Sequence, residues 1–115
     1  MDTLNRLTIA ISLGPDRARV FLRGELDLAT APFLHKQIDD LLDGNGQHRS
    51  LVLIDLAEVT FCDSSGLRAL LEIHNRCQRV GTTVRLTNVP ANIHRIFEIT
   101  GITGVLNIDT NSGGG

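Results

Sequence analysis

The chain has 115 residues, enough for one domain but not for two. It is 42% hydrophobic and 21% charged, the balance of a protein with a packed core. A formal net charge of −2 and the absence of Trp and Tyr argue against a nucleic-acid partner. No apolar run approaches the roughly 20 residues that span a bilayer, and Asp2 stands where a signal peptide would be basic. We therefore expect a cytoplasmic protein.

The first part of the chain predicts a β-hairpin. Apolar and polar residues alternate over residues 7–13 and again over residues 18–23, the period of a strand with one buried face. Gly14, Pro15 and Asp16 lie between these runs and have the composition of a turn. Two neighbouring antiparallel strands are therefore expected to open the fold.

A helix and a central strand are predicted next. Thr30 can cap a helix that has Pro32 in its first turn, and this helix is expected to end at Gly44 and Gly46. Its apolar residues recur at helical spacing, namely Leu34, Ile38, Leu41 and Leu42. The apolar run over residues 51–54, closed by Asp55 and Leu56, predicts a strand in the middle of the sheet that is covered on both faces.

The second half of the chain predicts helix, strand, helix and a last short strand. A helix from Ser64 or Ser65 to Val80 is expected to stop at Gly81. Its apolar arc consists of Leu67, Leu70, Leu71, Ile73, Cys77 and Val80. The last helix begins at Pro90, ends before Gly101, and turns Ile93, Ile96 and Phe97 inward. Strands are predicted at Val84 and Leu86 and at Val105 and Leu106.

The predicted order is ββαβαβα(β), which contains βαβ crossovers after an antiparallel start. It predicts a single α/β domain over residues 1–110, with a mixed sheet of four to five strands that carries helices. Residues 111–115 are polar and glycine-rich, and we expect them to form a disordered tail.

One motif with chemical potential follows the central strand. The chain reads Thr60-Phe61-Cys62-Asp63-Ser64-Ser65-Gly66 and then enters a helix. The first turn of a helix offers unsatisfied N–H groups and the positive end of the helix dipole, so an oxygen or a phosphate is stabilised there. Ser64 is therefore a candidate phosphoacceptor, although Asp63 and Ser64 are also preferred capping residues, and capping alone explains the motif about as well.

Three segments in this order and spacing resemble a known family. They are Gly24-Glu25-Leu26-Asp27, the run from Asp55-Leu56 to Asp63-Ser64-Ser65-Gly66, and the stretch from Val89 to Phe97 with Gly101 after it. The chain resembles the STAS-domain anti-sigma factor antagonists of bacteria, over roughly residues 7 to 108. Because three separated segments agree, the resemblance is more specific than a lone DSSG.

The resemblance implies a protein switch that is not an enzyme and needs no cofactor. The unphosphorylated form would bind an anti-sigma factor, itself an ATP-dependent serine kinase, and so free a sigma factor. Phosphorylation of Ser64 would switch it off, and a metal-dependent serine/threonine phosphatase would restore it. The resemblance implies partner-binding roles for Asp27, Asp63, Ser65 and Gly66, and we add the neighbouring Arg68. We expect a monomer or weak dimer that binds neither nucleic acid nor membrane.

Other readings remain open at this stage. A scaffold subunit of a signalling assembly or a component of a lipid-transport complex would share the fold. A serine hydrolase would need a base near Ser64, but His74 lies ten residues along the same helix, about 15 Å away. The histidines and cysteines show no metal-ligand spacing, and Cys62 and Cys77 are expected to be reduced, with a redox pair as the alternative.

Overall fold

The computed structural model describes residues 6–43 and 47–109. The tail predicted over residues 111–115, and Gly44 and Gly46 at the predicted end of the first helix, lie outside the described residues. The described elements follow the predicted order: β1 Leu7–Leu13, β2 Arg17–Leu26, α1 Ala31–Asp43, β3 Leu51–Cys62, α2 Ser64–Arg79, β4 Thr83–Thr87, α3 Ala91–Thr100 and β5 Asn107–Ile108. A short 3₁₀ helix, Ile102–Gly104, precedes β5.

The five strands form one mixed sheet in the order β1-β2-β3-β4-β5. β1 pairs antiparallel with β2, and every later pair is parallel. Each helix crossover therefore moves one strand further in the same direction. Buried side chains of all three helices belong to one core cluster, which places the helices on the same face of the sheet, as crossovers of one hand require. The core lies between that face and the helices.

The prediction that β3 is covered on both faces is wrong. β3 does lie in the middle of the sheet, but only Val52, Ile54 and Leu56 are buried, while Leu51, Leu53 and Asp55 keep partial exposure. The reason is the one-directional strand order, because no helix is left to cover the second face within the described residues.

β3 also runs six residues beyond its predicted end. The register shifts against β2 twice: Phe21 pairs with Asp55 but Arg23 with Glu58, and Gly24 pairs with Val59 but Glu25 with Phe61. Each shift inserts one extra β3 residue. The buried positions of this half, Leu56, Val59 and Cys62, are therefore three apart, and the alternation that marks a strand is lost.

The later elements follow the prediction with small differences. Val80 caps α2 and is 52% exposed instead of belonging to the apolar arc, whereas Ile93 and Phe97 of α3 are buried as predicted. Gly101 ends α3 in the left-handed conformation at φ 79°. The last strand begins at Asn107 instead of Val105, since residues 102–104 first form the 3₁₀ helix.

Candidate functional site

The DSSG segment lies at the carboxyl end of β3, where α2 begins. Parallel α/β sheets place binding sites at this end. Asp63 is the N-cap of α2, Ser64 is its exposed first residue, Ser65 is half-buried and Gly66 is buried. The structure thus brings the predicted phosphoacceptor to the surface at a helix N-terminus.

Asp63 orders the first turn of α2. Its backbone is extended, with φ −99° and ψ −172°, and its Oδ1 accepts a hydrogen bond from the N–H of Gly66 at 2.9 Å. Its carbonyl accepts from the N–H of Leu67 at 3.0 Å. Within the described residues the N–H groups of Ser64 and Ser65 have no acceptor, so they stay available to an oxygen close to the serine hydroxyls.

Gly66 allows α2 to approach the end of β2 closely. A Cβ at this position would lie 2.5 Å from the carbonyl oxygen of Leu26 and 2.8 Å from the Sγ of Cys62. The same Leu26 carbonyl accepts a hydrogen bond from the N–H of Asp63 at 3.3 Å. The GELD and DSSG segments are therefore in direct contact, and the glycine is required by the close packing of backbone on backbone.

Gly24 has the corresponding role at the other end of the GELD segment. Its φ is +113°, and a Cβ there would overlap the carbonyl oxygen of Arg6. The N–H of Glu25 donates to that carbonyl at 2.8 Å. Only glycine combines this backbone conformation with such close approach, and the contact fixes Arg6 beside the site.

Asp27 organises the turn between β2 and α1. Its Oδ1 accepts hydrogen bonds from the N–H groups of Ala29 at 3.0 Å and Thr30 at 3.1 Å. The Thr30 hydroxyl oxygen accepts from the N–H of Asp27 at 2.9 Å and the hydroxyl donates to the carbonyl of Glu25 at 2.9 Å. Thr30 stands at the predicted cap position, directly before α1, and its carbonyl accepts hydrogen bonds from the N–H groups of Phe33 and Leu34. Among the described residues its hydroxyl bonds to Asp27 and Glu25 in the preceding turn and not to the first turn of α1.

Arg6 is a site residue that the sequence did not reveal. Its Nη1 lies 2.7 Å from Oδ2 of Asp27 and 2.7 Å from Oε1 of Glu25, so one guanidinium bridges two carboxylates. Burial by itself raises the pKa of Asp27, but the hydrogen bonds from Thr30 and the Arg6 guanidinium outweigh it and hold this pKa below its ordinary value of 3.8. Asp27 is consequently a fixed, charged part of the turn.

Exposed apolar side chains stand at the same end of the sheet. Leu28 follows Asp27 and is 75% exposed, Phe33 lies in the first turn of α1, and Phe61 precedes the DSSG segment and is half exposed. Clusters of this kind at a functional edge are typical of protein-binding surfaces. The apolar pattern of the sequence did not predict these exposed side chains. The one sequence signal for them was Phe33, which falls outside the apolar stripe of its helix.

Arg68 is exposed one turn after Ser64 on α2, which places the two side chains on the same face of the helix. The other two arginines of α2, Arg76 and Arg79, have different surroundings. Arg76 pairs with Asp39 of α1, so it links two helices, and only Arg68 and Arg79 remain as exposed cations of α2.

The histidines are placed elsewhere. His35 lies 3.1 Å from Glu72, His94 lies 3.5 Å from Glu98, and His74 is buried in α2. In the described part of the chain no histidine hydrogen-bonds to Ser64. Residues 6–43 and 47–109 also contain no group of three or more His, Cys, Asp or Glu that could hold a metal ion.

The two cysteines do not form a redox pair. Cys62 ends β3 and Cys77 lies in the last turns of α2, about 20 Å apart at ~1.5 Å per residue, whereas a disulfide needs Cα atoms within about 7 Å. Both are buried. Burial raises the pKa of Cys62 to about 12 and that of Cys77 to about 11, so neither is a reactive thiolate.

The fold and the site together define a small α/β domain that presents a serine at a helix N-terminus. The family model for the STAS domain matches residues 14–114, and the chain belongs to the STAS domain family. The described residues contain no helix long and apolar enough to cross a membrane.

The chain is similar to several known proteins of this family. The chain is 26% identical over 109 residues to the "Anti-sigma-B factor antagonist" of Bacillus subtilis (strain 168), covering 95% of this chain and 96% of that protein. It is 27% identical over 88 residues to the "Intermembrane phospholipid transport system binding protein MlaB" of Haemophilus influenzae, covering 76% and 84%. The fold matches the crystal structure of an anti-sigma factor antagonist from Mycobacterium paratuberculosis with a TM-score of 0.76 at 22% identity, covering 89% and 84%.

Proposed function

We propose that this protein is an anti-sigma factor antagonist that is switched off by phosphorylation of Ser64. Its unphosphorylated form binds an anti-sigma factor and thereby releases a sigma factor for transcription in the cytoplasm. The observation that carries the proposal is the exposed position of Ser64 at the start of α2, beside exposed apolar side chains. The match to an anti-sigma-B factor antagonist over nearly the whole chain supports it.

The protein acts by binding and has no catalytic role or cofactor of its own. The anti-sigma factor is the serine kinase that modifies Ser64, and a metal-dependent serine/threonine phosphatase reverses the modification. The site supports this assignment because the hydroxyl of Ser64 is accessible to an enzyme, whereas Ser65 is half-buried. The two free N–H groups of the first turn can stabilise a phosphate once it has formed.

The remaining site residues divide into framework and contact surface. Asp27 and Gly66 are buried and hold the two motifs together, so they shape the surface that the anti-sigma factor meets. Asp63 orders the first turn, while Ser65 and the exposed Arg68 extend the surface along α2. Leu28, Phe33 and Phe61 supply its apolar part.

Phosphorylation acts by adding charge to this surface. A phosphate carries about −1.5 to −2 charges at neutral pH and needs solvation. On Ser64 it stands next to the carboxylate of Asp63, and Arg68 is the cation one turn away. A partner surface that packs against apolar side chains here cannot accommodate a dianion without a matching cation, so the phosphorylated form is released.

The experiment is intact-mass spectrometry with fragment mapping after the protein has been incubated with ATP and candidate anti-sigma kinases from its own organism. We expect one added phosphate on Ser64, its loss in Ser64→Ala and its retention in the matched control Ser65→Ala. Retained phosphorylation of Ser64→Ala would contradict the assigned site. Absence of phosphorylation by every candidate kinase would contradict the switch.

The match to the phospholipid transport protein MlaB favours one second candidate, a subunit of a transport complex. In that case the same end of the sheet would bind a transport subunit stably. Light scattering after gel filtration separates the two candidates when each purified partner is supplied, because a switch exchanges its partner on phosphorylation and a structural subunit does not.

A further inference from the structure

The second face of the sheet carries no helix. Strands β2 to β5 are mutually parallel, and parallel sheets are almost always covered on both faces. Within residues 6–43 and 47–109 the three helices cover one face only. This helix-free face is therefore an incomplete layer, of the kind that a further helix completes in other α/β folds.

The centre of the helix-free face is apolar and flanked by arginines. The register places Arg19, Leu53 and Arg85 side by side on β2, β3 and β4, and Arg17 and Leu51 form the neighbouring row. Phe21, 38% exposed, follows Arg19 on the same face. These residues line a groove of about 390 Å³.

These arginines have no ion-pair partner among the described residues. In the part of the chain that the structure describes, Arg17, Arg19 and Arg85 form no ion pair, whereas Arg23 on the same face lies 3.7 Å from Glu58. Two carboxylates, those of Asp55 and Asp109, also line the groove, and Asp55 accepts hydrogen bonds from Ala57 and Asn88. The groove therefore has three arginines without ion pairs beside Leu51 and Leu53, in a chain whose net charge is −2.

The spacing of the arginines fits the carboxylates of an α-helix. Adjacent strands are ~4.8 Å apart, so the backbones of Arg19 and Arg85 are separated by about 9.6 Å with Leu53 between them. Residues i and i+7 of a helix are about 10.5 Å apart on one face, with i+3 and i+4 between them. A helix lying across the strands can therefore place two glutamates on the arginines and two leucines on Leu53 and its neighbours.

We propose that the helix-free face is a docking site for an acidic amphipathic α-helix of a partner protein. The helix would carry carboxylates at i and i+7 and large apolar residues at i+3 and i+4. The site lies near the amino ends of the parallel strands. Leu53 and Asp63 are ten residues apart along the chain, at most about 33 Å at ~3.3 Å per residue of strand. A helix bound there leaves Ser64 accessible, so this inference does not depend on the phosphorylation switch.

The test is a titration of the ¹⁵N-labelled protein with a synthetic helical peptide, followed by amide chemical shifts. The peptide is alanine-rich, with Glu at i and i+7 and Leu at i+3 and i+4, and its counterpart has Lys in place of Glu. We expect shifts confined to residues 17–21, 51–55 and 83–87 with the Glu peptide and none with the Lys peptide. Arg19→Glu combined with Arg85→Glu should weaken binding at least tenfold.

The matched control is Arg79→Glu combined with Arg95→Glu, which changes the net charge equally at exposed helix positions. It should bind as the parent chain does. If the charge reversal on the sheet prevents folding, Arg19→Gln combined with Arg85→Gln replaces it, with the same expected direction of change.

Equal affinity of the two double variants, shifts around Ser64 instead of the helix-free face, or no shifts at millimolar Glu peptide would each overturn the proposal. Two further outcomes would assign the face to another occupant. They are binding to phosphatidylglycerol-containing vesicles but not to the peptide, and a concentration-dependent dimer that Arg19→Glu with Arg85→Glu abolishes.

Discussion

The backbone N–H of Asp63 donates a hydrogen bond to the carbonyl of Leu26 at 3.3 Å. Two segments that lie 37 positions apart in the sequence are thus joined by main-chain atoms at the point where α2 begins. The hydroxyl of Ser64 is presented by this junction, so the stability of the junction and the function of the switch can be tested separately.

Gly66→Ala should destabilise the junction. The added Cβ would stand 2.5 Å from the Leu26 carbonyl oxygen, and a backbone atom cannot move aside as a flexible side chain can. We expect the free energy of unfolding to fall by about 1–3 kcal/mol in urea denaturation, the cost of overpacking a tight core. Gly104→Ala is the matched control, since a Cβ there meets nothing within 4 Å. Equal effects of the two substitutions would refute the packing argument.

Asp27→Asn should destabilise the protein in a pH-dependent manner. The folded-state pKa of Asp27 is held below 3.8, so the carboxylate contributes stability above its unfolded-state pKa, and this contribution is lost as pH falls through the folded-state value. The parent chain should therefore exceed Asp27→Asn in stability at pH 7, and the gap should close below pH of about 4. Urea denaturation from pH 7 to pH 2.5 measures it.

The control for the Asp27 experiment is Asp40→Asn, which removes an exposed carboxylate that pairs with Lys36 on α1. Exposed pairs of this kind contribute little, so its curve should follow the parent chain. Combining Asp27→Asn with Arg6→Gln should add little to the loss from Asp27→Asn alone, because the two residues act together. A fully additive double variant would show that the ion pair is not part of the turn.

Substitutions of Ser64 should separate charge from side-chain shape at the proposed switch. Ser64→Ala is expected to bind the anti-sigma factor constitutively, since the site is exposed and loses no buried contact. Ser64→Asp adds one charge beside Asp63, less than a phosphate does, and should weaken binding without abolishing it. Isothermal titration calorimetry with the purified anti-sigma factor, with and without ATP, provides the affinities. Tighter binding by Ser64→Asp would contradict the repulsion mechanism.

Leu28→Ala should weaken partner binding with little effect on folding. The side chain is 75% exposed, so its truncation should change the free energy of unfolding by less than about 0.5 kcal/mol. If Leu28 is an apolar anchor at the interface, affinity for the anti-sigma factor should drop at least tenfold, about 1.4 kcal/mol. Ile99→Ala on α3 is a close control, because Ile99 is 77% exposed. A comparable loss in both variants would remove Leu28 from the interface.

Cys62 and Cys77 should resist alkylation in the folded protein. With pKa values of about 12 and 11 and buried side chains, almost no thiolate exists at pH 8. Iodoacetamide labelling followed by mass spectrometry should show both thiols unmodified in buffer and both modified in 6 M urea, with glutathione as the free-thiol standard. Rapid labelling of either cysteine without denaturant would indicate that the site opens locally.

Local patterns in the sequence predicted most elements of the fold, and they failed where two strands interact irregularly. The alternation in β1 and β2 and the helical stripe of α2 depend on residues close in sequence, so they can be read directly. The second half of β3 cannot, because two bulges that arise from its pairing with Gly24 and its neighbours move the buried positions three apart. The start of β5 differs from the prediction for another reason, since residues 102–104 form a 3₁₀ helix before the strand begins.

Some residues of the candidate site could likewise be predicted from the sequence, and others could not. The resemblance of two short segments to a known family pointed to Ser64, Asp63 and Asp27, and the helix N-terminus explained why a phosphate could be stabilised there. Arg6 and the exposed Leu28 were not found, because a bridging guanidinium and an apolar surface are defined by residues that meet only after folding.

The sequence alone therefore determined the order of strands and helices, the family resemblance and the candidate serine, all of which depend on residue types and spacing along the chain. The tertiary structure decided which face of the sheet stays uncovered, which carboxylates Arg6 bridges and why Gly24 and Gly66 admit no side chain. These properties depend on the register between strands and on backbone atoms brought together from distant segments. The spacing of residues along the chain does not reveal them.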